Sequence, residues 1–144
     1  MSDYIETGLV YLEYRDFAHI GDETIRAAEG AACAAEQDPD AYWDYNETLY
    51  QNQHTPPVNS GGYSDSRLIQ MAEELGLDVE AFESCMDDET YRDQIEDSTE
   101  EAQDTGIAST PQFQINGRIV EWGEGGYEEL AAEIDAELEE VGDE

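Results

Sequence analysis

The chain has 144 residues, the length of one domain, and a domain of that size buries roughly 68% of the surface its unfolded chain exposes. Its 38 acidic and 5 basic residues leave a formal charge of −33, every basic residue is an arginine, and lysine is absent. This balance argues against nucleic acid as a ligand, since phosphates would meet repulsion in place of counterion release; the 39% of apolar residues argues against disorder.

The acids fall on nearly every predicted helix, including the C-terminal AAEIDAELEEVGDE. A protein that mimics nucleic acid or binds basic partners would concentrate them in one segment. The global spread instead suits a folded, halophilic protein, because molar salt shortens screening to about 3 Å and carboxylates hold water and cations well. MSDYIETGLV at the N-terminus has no positive region followed by an apolar run, and no window approaches a spanning helix. As written, the chain reads as soluble and untargeted.

In chain order, GLVYLEY (8–14) is a nearly continuous apolar run that predicts a strand covered on both faces. GDETIRAAEGAACAAEQ follows as a helix with Asp22 as its cap and a face of alanines and Cys33 suited to close packing. Pro39 permits a break, after which Tyr42, Trp43, Tyr45 or Asn46, Leu49 and Tyr50 recur near helical spacing and predict the main aromatic share of a helical core. HTPPVNSGGYSDS is a loop by its prolines, glycines and short polar residues.

A helix capped by Ser64 or Asp65 then runs to Gly76, and a second begins at Asp78. A third places Tyr91, Ile95 and Ala102 inward and stops at Gly106. The apolar period then changes from about 3.6 to 2. PQFQI and RIVEW flank Asn116-Gly117, a two-residue hairpin signal, and the last helix carries Leu130, Ile134 and Leu138 along one side.

Three motifs in this order resemble the DsbA-like thioredoxin superfamily of thiol-disulfide oxidoreductases. VYLEYRDF (10–17) looks like that family's strand before its helical insertion, and AACAAEQDPDAYWDYNETLYQNQ (31–53) is similar to its alanine-cysteine helix and following aromatic helix. GIASTPQFQINGRIVEW (106–122) looks like its Thr-Pro strand and hairpin. The resemblance implies an α/β, thioredoxin-like fold as a single domain over 1–144, with a helical insertion at about 22–105 and the hairpin and helix at 107–141. It implies a cis proline at Pro111, a form that costs only about 0.5 to 1 kcal/mol before proline, and a role for the main chain of Thr110 in holding an extended substrate peptide. Read without the resemblance, the same pair is a trans proline at a strand edge with no ligand.

The family's chemistry resides in a Cys-x-x-Cys at a helix N-terminus, where the thiol is acidified into a nucleophile. No Cys-x-x-Cys occurs in this sequence. The family's central strand and most of its first helix also lack counterparts, so residues 9–15 and 112–116 lose a shared neighbour and would leave buried main chain unpaired. Three accounts stay open: a start placed inside a longer gene, two strands that close up and pair directly, or a strand supplied by another copy or chain.

Neither cysteine has a catalytic environment: Cys33 sits late in an alanine-rich helix, and Cys85 lies near a helix end among Glu83, Asp87 and Asp88, whose carboxylates would raise a thiol pKa. The resemblance makes them a candidate structural disulfide; two reduced, buried cysteines are the alternative. His19 and His54 lack metal-ligand spacing, and no cofactor or metal is expected. The reading is therefore a protein dithiol-disulfide oxidoreductase that is inactive as written, acting in its intact form on protein thiols with a redox partner. Its alternative is a redox-inactive module that binds extended peptides.

Overall fold

The computed structural model describes residues 2–53, 57, 59–121 and 123–142. In chain order its elements are α1 (Ser2–Glu6), α2 (Asp22–Gln37), α3 (Ala41–Gln51), α4 (Asp65–Glu74), α5 (Val79–Asp87), α6 (Arg92–Asp104), β1 (Phe113–Ile115), β2 (Arg118–Val120) and α7 (Tyr127–Gly142). They fall into two compact units, Asp16–Thr105, and Met1–Arg15 together with Gly106–Glu144.

The helical unit is organised around α2, which packs against α3, α4, α5 and α6. Its face of small residues permits this. At Gly30 an added Cβ would stand 2.8 Å from the Tyr45 hydroxyl and 3.0 Å from its Cε1, so glycine lets the α3 aromatic press against the α2 backbone. Tyr45 is fully buried, donates a 2.9 Å hydrogen bond to the Leu68 carbonyl, and its ring lies 5.5 Å from that of Phe82. Leu49, Leu68, Met71, Phe82 and Met86 complete this core. Beside it, Ile95 of α6 packs with Ala18 and Ala28, and Thr99 accepts a hydrogen bond from the Ala18 N–H at 3.0 Å.

The aromatic helix contributes less to the core than its spacing predicts. Tyr45 and Leu49 are buried, but Trp43 and Tyr50 are exposed, because α3 presents only one stripe to α2 and α4. On α6, Ile95 is inward and Tyr91 and Ala102 are half-buried, while Thr99 takes a buried position that apolar spacing did not identify. The α2 cap is Gly21 rather than Asp22, which is the first helical residue. Ser64 occupies the α4 cap position without a side-chain bond to the helix main chain, whereas Asp78 caps α5 by accepting from the Ala81 N–H at 3.1 Å.

In the other unit, β1 and β2 form an antiparallel pair with Phe113 opposite Val120, Gln114 opposite Ile119 and Ile115 opposite Arg118. Asn116 and Gly117 both have positive φ, 50° and 81°, as a two-residue hairpin turn of this hand requires. Val120, Leu130 and Ile134 form the buried centre, with Tyr4, Val10, Phe113, Ile115 and Leu138 packed around it. Trp122, the last residue of the predicted return strand, lies outside the described residues.

The strand predicted over 8–14 is a correction. The segment follows the short helix α1, which the sequence did not signal, and the N–H groups of Leu9 and Val10 both bond the Tyr4 carbonyl, at 3.0 and 3.1 Å. Beyond that point it joins no ladder: among the described residues the sheet contains β1 and β2 alone. An apolar run becomes a strand only where a neighbour accepts its main-chain bonds. Here Tyr11 is 90% exposed and Leu9 57%, so the segment is not covered on both faces as a buried strand would be. Direct closure of this segment onto β1 is not observed either.

Candidate functional site

Two constellations bear on chemistry, one in each unit. The first is the entrance to β1. Ser109, Thr110 and Pro111 are exposed, and the Thr110–Pro111 peptide is cis. Among the described residues neither main-chain group of Thr110 has a backbone partner. Gln112 is held by a 3.2 Å hydrogen bond from its Nε2 to the Val120 carbonyl, which ties the segment to the hairpin. Among the described residues the sheet holds β1 and β2, so the side of β1 away from β2 lies at the sheet's edge, continuous with the main chain of Thr110. Such an edge can accept an extended peptide by adding a strand.

The hairpin tip is fixed electrostatically. Arg118 reaches Glu133 at 2.8 Å and Glu137 at 3.0 Å, and Asn116 Nδ2 donates to Glu137 at 3.1 Å. The Arg118 guanidinium, and after it Asn116, hold the Glu137 carboxyl below its ordinary pKa. The edge is thus presented by a hairpin anchored to α7.

The second constellation surrounds the cysteines. Cys33 of α2 and Cys85 of α5 are joined by a disulfide, with Cα atoms 5.9 Å apart. Cys33 is 1% exposed, and Cys85 is half-buried at the edge of the helical core. The Glu36 carboxylate lies 3.7 Å from Cys85 Sγ. Because a disulfide sulfur has no proton to donate, this is a contact of charge with sulfur and not a hydrogen bond. Tyr91 donates from its hydroxyl to the same Glu36 oxygen at 3.2 Å, and burial followed by the Glu36 charge pushes the Tyr91 pKa up.

Beneath these helices lies a buried ion trio that sequence reasoning did not single out. Glu29 of α2 is 1% exposed and meets Arg26 at 3.1 Å and Arg92 of α6 at 3.2 Å. Arg26 also donates to the Met86 carbonyl and to Asp65, each at 2.8 Å. Its only sequence signal was a glutamate on a face of alanines, three residues after an arginine. The trio ties α2 to α4, α5 and α6, a structural role.

His19 is exposed at the start of the helical unit, its ring 4.1 Å from that of Phe17, and His54 lies outside the described residues. Among the described residues no three His, Cys, Asp or Glu side chains converge as a metal site requires, and no helix is long and apolar enough to cross a membrane.

Residues 1–136 match the family described as thioredoxin. The chain is 25% identical over 137 residues to disulfide bond formation protein D of Bacillus subtilis, covering 94% of this chain and 60% of that one. It is 23% identical over 138 residues to a probable disulfide bond formation protein D of Bacillus cereus, covering 94% and 62% respectively. The chain thus spans about three-fifths of the length of these curated relatives. The crystal structure of oxidised BdbD from Bacillus subtilis superposes with a TM-score of 0.83 at 24% identity, over 96% of this chain and 74% of the other. That likeness shows a shared fold, thioredoxin-like and here predominantly helical with a small sheet.

Proposed function

This chain belongs to the thioredoxin family, in its DsbA-like group, and on that premise we propose that it is the peptide-holding part of a protein dithiol-disulfide oxidoreductase adapted to molar salt. The observation that carries the proposal is the exposed Thr110–Pro111 pair at the entrance of β1, where among the described residues the main chain of Thr110 has no backbone partner. An extended substrate segment would pair with this main chain, which reads no side chain and therefore tolerates many substrates. Pairing would also hold a substrate cysteine at a fixed height beside Pro111.

Exchange itself runs by thiolate attack on a disulfide sulfur through a mixed disulfide. The Cys-x-x-Cys that supplies the thiolate in DsbA-like proteins is not in this sequence. By itself this chain therefore binds without turnover, and protein thiols and a resetting redox partner belong to the intact enzyme. A second reading, a redox-inactive peptide-binding module, is favoured by the tying of both cysteines into one bridge remote in sequence from Thr110.

The test is an amide-resolved NMR titration in molar salt with an unstructured, cysteine-free peptide. Shifts should concentrate on Thr110 and on Gln112 to Ile115. Thr110→Pro, which deletes the N–H, should weaken binding about fivefold, the scale of one net hydrogen bond, while Thr110→Ser should leave it unchanged. Shifts confined to the helical unit would sink the proposal. Insulin reduction by this chain at a rate comparable to an intact family member would instead show that Cys33 or Cys85 reacts.

A further inference from the structure

The two sulfurs of the Cys33–Cys85 bridge are not equivalent. Cys33 is 1% exposed, within the core that also holds Ala31, Ala34 and Phe82, so an incoming thiolate has no route to it. Cys85 lies half-buried on α5, with Glu36 3.7 Å from its sulfur and Tyr91 fixing that carboxylate in place. In sequence, Glu83, Asp87 and Asp88 flank Cys85 and are exposed.

From this asymmetry we infer that the bridge is open to thiols only at Cys85, and that Glu36 selects them by charge, admitting amine-bearing thiols and repelling carboxylate-bearing ones. The step is a displacement. A thiolate R–S⁻ attacks Cys85 Sγ, the new R–S–Sγ bond forms as the Sγ–Sγ bond breaks, and the electron pair leaves on Cys33 as a thiolate. A second thiolate attacking the outer sulfur releases R–S–S–R and leaves both cysteines reduced, the external thiol being the reductant. The nucleophile is an anion arriving within about 4 Å of a fixed carboxylate. At that range one pair of like charges in water is worth about a fivefold change in rate.

The same geometry explains how a structural bridge stays oxidised when thiols are present. Return attack by Cys33 expels the adduct, because the released thiolate is held against the mixed disulfide by packed helices. The inference does not depend on the function proposed above: peptide binding at Thr110 can fail while the charge selectivity holds, and the reverse.

The experiment measures reduction rates of the intact chain in the lowest salt that keeps it folded, because molar salt, with a screening length of about 3 Å, would itself screen a charge pair about 4 Å apart. Rates are expressed per thiolate for cysteamine, mercaptoethanol and mercaptoacetate. The native chain should react in that order, fastest with cysteamine. Glu36→Gln should raise the mercaptoethanol rate about fivefold, raise the mercaptoacetate rate further, and leave cysteamine nearly unchanged. Tyr91→Phe, which frees the carboxylate, should give a smaller rise in the same order. Glu47→Gln on α3 removes equal charge without touching the bridge and should change nothing. Alkylation trapping and peptide mass mapping should place the adduct on Cys85. An equal acceleration of all three thiols, the same effect from Glu47→Gln, rates independent of thiol concentration, or an adduct on Cys33 would each overturn the inference.

Discussion

Glu23 shows how one side chain joins a loop to a helix. Its carboxylate accepts from the Gly61 N–H at 2.6 Å and the Tyr63 N–H at 2.9 Å, bringing the turn after the proline-rich segment to the first turn of α2. Asn59 completes the join by donating to the Ile20 carbonyl at 2.8 Å and accepting from the Glu23 N–H at 3.2 Å. The bonds from Tyr63 and then Gly61 lower the Glu23 pKa from 4.5. A carboxyl depressed in the folded state adds stability above its unfolded pKa, and that addition is lost as pH falls through the folded value. The stability difference between the native chain and Glu23→Gln should therefore be largest near neutral pH and shrink below about pH 4.5. Comparing the pair cancels the opposing gain from neutralising the other acids. Chemical denaturation of both across that window checks it, and a constant difference would mean that the carboxylate charge is not what holds the loop. Sequence could place a loop at these residues, but not the glutamate 36 to 40 positions earlier that anchors it, because such pairing depends on how the chain returns.

At the scale of elements, helices with strong local signals are legible and the packing between them is not. Asp78 is a cap in sequence and in structure because its bond reaches only three residues along. Gly30 reads locally as a weakness in a helix, yet it is where the Tyr45 side chain of α3 presses against the α2 backbone. Gly30→Ala should gain about 1 kcal/mol of helix propensity and lose about 1–3 kcal/mol to overpacking against Tyr45, for a net loss of about 1 kcal/mol in denaturant midpoints. In a Tyr45→Phe background, where the nearest atom is gone, the penalty should fall, and the double-mutant cycle should report coupling. Additive effects would mean that the helices relax apart freely. The failed strand at 8–14 teaches the converse. Its composition is that of a strand, but β-structure is a property of a pair, and no ladder partner stands beside it among the described residues.

At the scale of the whole molecule, charge and connectivity dominate. A net charge of −33 opposes compaction, while the Cys33–Cys85 bridge, spanning 52 residues, restrains the unfolded chain by about 4 kcal/mol in the chain-entropy model. The two act in opposition, and salt shifts the balance. Thermal unfolding should move steeply upward from low to molar potassium chloride, and sucrose added without salt should not reproduce the rise, since screening rather than osmolyte exclusion causes it. A midpoint independent of salt would remove the halophilic reading.

By itself the sequence determined the helical segments from α2 onward, the Asn116-Gly117 hairpin, the acidic composition and the family resemblance. Each rests on neighbours a few residues apart or on composition, which need no knowledge of the fold. Only the tertiary structure decided that Cys33 and Cys85 are joined, that Glu29 is buried between two arginines, that Glu36 faces the reachable sulfur, and that residues 8–14 form no strand. Those facts turn on which distant segments meet, and burial and pairing are properties of that meeting rather than of either segment alone.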